Sequence, residues 1–88
     1  MRASDLRTLF SEYGVTNIEV FGSVARGDDD EDSDIDLLVD IAPTIGLFDL
    51  LRAQSAAEAL LGRAVDVVPR QSLRPGVAEA IRDEVVPL

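Results

Sequence analysis

The chain has no cysteine, no histidine and no lysine; all eight of its basic residues are arginines. Without cysteine there is no disulfide and no thiolate metal site, a composition that suits the cytosol. Without histidine there is no imidazole base and no Ser-His-Asp triad. Any metal must therefore be held by oxygen, which points to magnesium, manganese or calcium. The absence of lysine contributes to a net charge of −9. A surface of that charge repels a nucleic-acid backbone, so no direct nucleic-acid partner is expected. A metal-bound phosphate remains compatible, because the ion supplies the positive charge. Long apolar runs are missing too: nothing approaches the ~18 residues of a membrane span. The opening MRASDLRTLFSEYG reads as an amphipathic helix rather than a signal peptide, so a cytoplasmic protein with no membrane partner is expected.

What is present is enough for one globular domain. The 88 residues are 47% hydrophobic and read as a single domain over 1–88, with a modest core. Leu6, Leu9, Phe10 and Tyr13 fall at helical spacing, with Gly14 as a stop. Residues 17–21 (NIEVF) read as a short strand, and residues 23–27 as one helical turn. Residues 35–41 (IDLLVDI) are the strongest strand signal, ended by Pro43. Leu47, Leu50, Leu51, Gln54, Glu58 and Leu61 trace one helical stripe, closed by Gly62. Residues 64–68 (AVDVV) predict a third, central strand. Pro75 opens a last helix expected to carry Val77, Ile81 and Val85 inward. The order α-β-(α)-β-α-β-α predicts a layered α/β (α+β) domain: a small, mixed three-stranded sheet flanked by about four helices.

The chemistry concentrates in residues 21–40, FGSVARGDDDEDSDIDLLVD, which hold eight carboxylates and one arginine. Asp34 and Asp36 are two apart on the predicted strand, so both leave the same face. Two same-face carboxylates opening a buried strand are costly unless water or a cation meets them. Asp66 stands alone between Val65 and Val67, where a strand disfavours aspartate by propensity and by burial. If that strand lies beside the second, Asp66 joins the pair, and a divalent cation is the natural remedy for three mutually repelling acids. At the other end, Gly22 and Ser23 follow a strand and open a turn. Gly22 permits close backbone approach, and the Ser23 hydroxyl adds a donor for an anion. Arg26 is the one cation in the stretch, and guanidinium suits phosphate oxygens. Phosphate at one end and metal at the other is the equipment of two-metal phosphoryl transfer.

Simpler readings stand beside these. Asp28 to Asp32 read as a solvated spacer. Arg26 either neutralises that run or joins the site. Asp66 taken alone is an ion-pair or turn residue, and Gly22-Ser23 a plain turn. Asp40, on the same strand face, reads as a strand-end residue beyond the site. An EF-hand loop is excluded: counted from Asp28, the required glycine and glutamate positions hold Ser33 and Val39.

Gly22-Ser23, ten residues, then Asp34-Ile35-Asp36 resembles the G-S-x10-D-x-D signature of the DNA polymerase β-like nucleotidyltransferase superfamily. The fuller GSVARG…SDIDLLVD is similar to its minimal nucleotidyltransferase (MNT) branch, and Asp66 matches the third carboxylate from a later strand. The resemblance spans most of the chain; the acidic DDDEDS loop departs from it. It implies two Mg2+ ions, with Mn2+ as an alternative, and ATP as the nucleoside triphosphate substrate. Asp34 and Asp36 would ligate both metals, and Asp66 the metal that activates the acceptor. Gly22 and Ser23 would hold the triphosphate with help from Arg26. It further implies transfer of AMP to a hydroxyl, such as a tyrosine of a HEPN-type toxin, with this chain as its antitoxin. Two alternatives differ in kind: a non-catalytic acidic module that neutralises its partner by docking, and the catalytic subunit of a small-molecule nucleotidyltransferase.

Overall fold

A computed structural model describes residues 2–27 and 34–88, and the backbone alone of Ser23. Helix α1 (Ala3–Glu12) leads to strand β1 (Val15–Phe21), which runs straight into the one-turn helix α2 (Gly22–Arg26). Strand β2 (Ile35–Ile41), helix α3 (Leu47–Leu61) and strand β3 (Val65–Pro69) follow. A 3₁₀ turn (Arg70–Ser72), helix α4 (Pro75–Ile81) and strand β4 (Val86–Pro87) end the chain.

The strands form a sheet of order β3-β2-β1-β4. Strands β1 and β2 pair antiparallel, β2 and β3 parallel, and β4 pairs antiparallel with β1 at Glu19 and Val20 only. The mixed α/β architecture agrees with the sequence pattern, but the described residues contain four strands rather than three. Strand β4 escapes sequence reading because two residues carry no period. It is defined by its contact with β1, including the bond from the Leu88 N–H to the Ile18 carbonyl at 3.0 Å.

One face of the sheet is apolar. Val15, Ile18, Val20, Ile35, Leu37, Val39, Val65 and Val67 are buried there with Leu6 and Phe10 of α1 and Ala53 and Ala57 of α3. The two alanines, one turn apart, let α3 approach the strands closely. Leu50 and Leu61 of the predicted stripe pack against the core beside them, whereas Leu47 is 68% and Leu51 45% exposed. Helix α4 is a second correction. It has no buried residue, Val77 is 47% exposed, and Val85 lies beyond its end. The apolar face is already filled by α1 and α3.

The opposite face carries the acidic side chains, because side chains alternate along each strand, and Phe21, Leu38 and Val68 lie among them. Phe21 pairs with Asp36, and Asp36 with Asp66, in one row. Further along, Glu19, Leu38 and Val68 form the next row. Beyond them a bulge lies in β1 between Thr16 and Glu19, where Asn17 adopts a left-handed φ of 51°. Arg70 reaches across this end. Its guanidinium donates to the Asp40 and Glu19 carboxylates and, at 2.8 Å, to the Asn17 carbonyl. The Asn17 side-chain amide also donates to Asp40 at 2.7 Å. Hydrogen bonds from Asn17 and Arg70 hold the Asp40 carboxyl below its ordinary value. Arg70 thus ties together the far ends of β1 and β2 from the end of β3.

Replacing Arg70 with Met leaves Asp40 and Glu19 facing each other without a cation. The expected loss is about 1–2 kcal/mol in urea denaturation, modest because the groups are partly solvated. Unchanged stability would show that the three-strand clamp carries no weight.

Candidate active site

The site is built where β1 ends. Gly22 follows Phe21, the strand residue paired with Asp36, and has φ 73°. This left-handed conformation suits glycine. A side chain here would also collide with the site: a Cβ on Gly22 would lie within 3.3 Å of Asp36 Cγ and closer still to Oδ2. The Asp36 carboxylate therefore rests against the Gly22 backbone. A missing side chain on one strand end makes room for a carboxylate on the next.

Asp36 is half-buried, and Asp66 stands beside it across the parallel β2–β3 pair. Burial first, then the charges of Asp66 and Asp34, push the Asp36 carboxyl above its ordinary value; Arg26 acts in the opposite direction. Asp34, exposed at the entry to β2, is thus close enough to be felt at Asp36. Arg26 ends α2, lies 3.4 Å from the Glu84 carboxylate and also bears on Asp36. Asp34, Asp36, Asp66, Gly22 and Arg26 gather at one end of the polar face. The side chain of Ser23, and Asp28 to Asp32, lie outside the described residues.

One expectation about Asp66 needs correction. Strand β3 is an edge strand, not a central one, and Asp66 is exposed. Among the described residues no further strand lies beyond β3; the outer side is met by α3. The Val65 N–H donates to Glu58 Oε2 at 3.0 Å, and the Val67 N–H to Gln54 Oε1 at 3.3 Å. These two polar residues interrupt the α3 stripe, and that interruption was the signal in the sequence that could have revealed them. Glu84 and Arg70, by contrast, gave no local signal. Their partners lie 58 and about 30–50 positions away.

The donor chemistry here is all oxygen, as a hard divalent cation requires. Among the described residues no three acidic side chains converge into a ready-made cage. The fit rests on the facing pair Asp36 and Asp66; burial first, then the like charges that a cation would neutralise, raise the Asp36 carboxyl. A hollow of about 590 Å³ opens at the other end of the strands, lined in part by Arg7, Asn17, Glu19, Asp40 and Arg70. Asp40, Glu19 and Arg70 there already engage one another, and the carboxylate cluster does not border the hollow.

Residues 3–88 match the Nucleotidyltransferase domain family. The chain belongs to that family. It is 42% identical over 80 residues to the protein adenylyltransferase MntA of Thermococcus cleftensis, covering 91% of this chain and 81% of that one. A solved structure provisionally assigned as a minimal nucleotidyltransferase superimposes with a TM-score of 0.89 at 41% identity, covering 99% and 89% of the two chains. More distant likenesses share the fold. A toxin–antitoxin structure with AMP-PNP has a TM-score of 0.84 at 20% identity, covering 99% of this chain and 72% of that one. A tri-AMPylated Shewanella oneidensis HEPN toxin in complex with its MNT antitoxin has a TM-score of 0.73 at 18% identity, covering 97% and 66%. This member of the nucleotidyltransferase family thus has a four-stranded version of the expected sheet. Among the described residues no helix is long and apolar enough to cross a membrane.

Substituting Gly22 with Ala tests the contact with Asp36. The positive φ costs about 1–2 kcal/mol, so the variant should still fold. Nucleotidyl transfer should fall by about 100-fold, because the new methyl displaces the Asp36 carboxylate. Thermal melting and a transfer assay on the same preparation separate the two effects. A variant with wild-type turnover would show that the close approach has no role.

Proposed function

We propose that this chain transfers AMP from ATP to a hydroxyl, with a tyrosine of a HEPN-type toxin as acceptor, and so acts in the cytosol as an antitoxin. The observation that carries the reading is the facing pair Asp36 and Asp66, with the Gly22 backbone against Asp36. The name of the Thermococcus relative and the AMPylated Shewanella toxin support the choice of acceptor class.

In this reading Asp34 and Asp36 would hold two divalent ions, Mg2+ or Mn2+, and Asp66 would share one of them. Bound there, the ions would supply the positive charge that a triphosphate and an ionising hydroxyl need. The chain's own residues do the rest. The Gly22 and Ser23 end holds the triphosphate through backbone N–H groups and the Ser23 hydroxyl, and Arg26 adds charge beside it. Asp66, the more exposed of the pair, faces the acceptor and takes its proton. The acceptor oxygen forms a bond to the α-phosphorus, and the bond from that phosphorus to the bridging oxygen breaks. Pyrophosphate leaves with the electron pair of that bond. The net charge of −9 suits docking to a basic, RNA-handling partner, a step that a modifying enzyme also needs.

The test uses the purified chain, a HEPN-type protein, α-labelled ATP and a divalent ion. Label should reach the partner, and mass spectrometry should find AMP on tyrosine. Asp36→Asn should abolish transfer while the fold survives. Full transfer by that variant contradicts the metal assignment. Protection of the partner without ATP by an Asp34→Asn, Asp36→Asn double variant would assign neutralisation to docking alone.

A further inference from the structure

Strand β3 carries Asp66 yet, among the described residues, pairs with a strand on one side only. Its five residues would leave alternate N–H groups on the outer side without a ladder partner. Those N–H groups belong to Val65 and Val67, the residues on either side of Asp66, and both residues are buried. Buried backbone donors need acceptors. Here the acceptors are side chains: Glu58 Oε2 at 3.0 Å from the Val65 nitrogen and Gln54 Oε1 at 3.3 Å from the Val67 nitrogen.

The match is geometric. Gln54 and Glu58 are one helical turn apart, which sets their Cβ atoms about 5–6 Å from each other on one face. Alternate residues of a strand are about 6.6 Å apart. A helix running beside the strand can therefore offer two acceptors at close to the repeat of the two donors, as a neighbouring strand would. The connection is also short and fixed. Gly62 ends α3 in the left-handed conformation, with its N–H bonded to the Glu58 carbonyl at 2.8 Å. Three residues later β3 begins. On its inner side, the Ile35 N–H bonds to the Ala64 carbonyl at 2.9 Å.

We propose that Gln54 and Glu58 are positioning residues for Asp66. They act as a substitute strand that holds the backbone on both sides of it, and so set how its carboxylate faces Asp36. The inference rests on the reading of Asp66 as a metal ligand. It adds that the ligand's position depends on α3 rather than on the sheet alone.

The experiment is Mn2+ titration of the full chain, followed by calorimetry or by the free-ion electron paramagnetic resonance signal. Glu58→Gln keeps an acceptor and should bind Mn2+ like wild type. The Gln54→Met, Glu58→Met double variant keeps length and helix propensity but removes both acceptors. Its Mn2+ affinity should fall by about tenfold, toward that of Asp66→Asn. Leu9→Ala, destabilised on α1 instead, should leave the affinity unchanged, which separates positioning from loss of stability. Wild-type affinity in the double Met variant, beside weakened binding in Asp66→Asn, overturns the positioning role. Unchanged affinity in Asp66→Asn itself locates the failure in the reading of Asp66. If the double variant does not fold, amide exchange of the wild type decides. Slow exchange at Val65 and Val67 supports the substitute strand, and free exchange there overturns it.

Discussion

Asp36 and Asp66 repel each other across the β2–β3 pair, and the strand register keeps them face to face. Parallel pairing sets their backbones side by side. The apolar residues before and after them, Ile35 and Leu37 on one strand and Val65 and Val67 on the other, are buried in the core. Turning either aspartate away would drag its strand's hydrophobic face into water, because a one-residue slip moves every side chain to the other side. The hydrophobic core thus maintains an electrostatic conflict, and the carboxyl of Asp36 rises, through burial first and then through the charges of Asp66 and Asp34. Such conflicts concentrate at functional sites, where a cation or substrate resolves them.

The remaining parts of the fold serve this arrangement from three sides. Gly22 withholds a side chain where Asp36 needs room. Helix α3 packs through Ala53 and Ala57, close enough for Gln54 and Glu58 to reach the edge of β3. At the far end of the same face, one guanidinium, that of Arg70, draws the two carboxylates of Glu19 and Asp40 together. At one end of the polar face each carboxylate has the Arg70 guanidinium as a direct partner, whereas at the other Asp34, Asp36 and Asp66 share Arg26, which also pairs with Glu84. The second is the end that calls for a ligand.

Much of this was legible in the sequence, for reasons that can be stated. The alternation at Ile35-Asp36-Leu37, followed by an apolar run, specified the strand and set Asp36 on the face away from Ile35 and Leu37. Gly22, at its fixed distance from that strand, marked the turn into α2. Asp66 stood out as a lone acid in an apolar strand. Sheet order was not legible, because which strand lies at an edge depends on long-range packing. Asp66 therefore looked central when it is exposed at an edge. On α3 the stripe holds at Leu50 and Leu61 but not at Leu47 and Leu51, and it passes over Ala53 and Ala57, because large leucines outweigh alanines in a periodicity argument whereas close packing selects the alanines. Strand β4 and the Arg70 cluster leave no local trace, since each is defined by partners distant in sequence.

Asp36 ionises at the expense of the fold. Its carboxyl is raised in the native state. The stability associated with protonating it is therefore fully present below the unfolded-state value and lost as pH rises through the folded value. Thermal melting of the wild type and of Asp36→Asn, without divalent ions and across that range, measures this directly. At neutral pH the Asn variant should melt higher than the wild type. The difference should shrink as acid protonates Asp36 in the wild type. A variant that melts lower than wild type at neutral pH, or a gap that does not change with pH, would contradict the account.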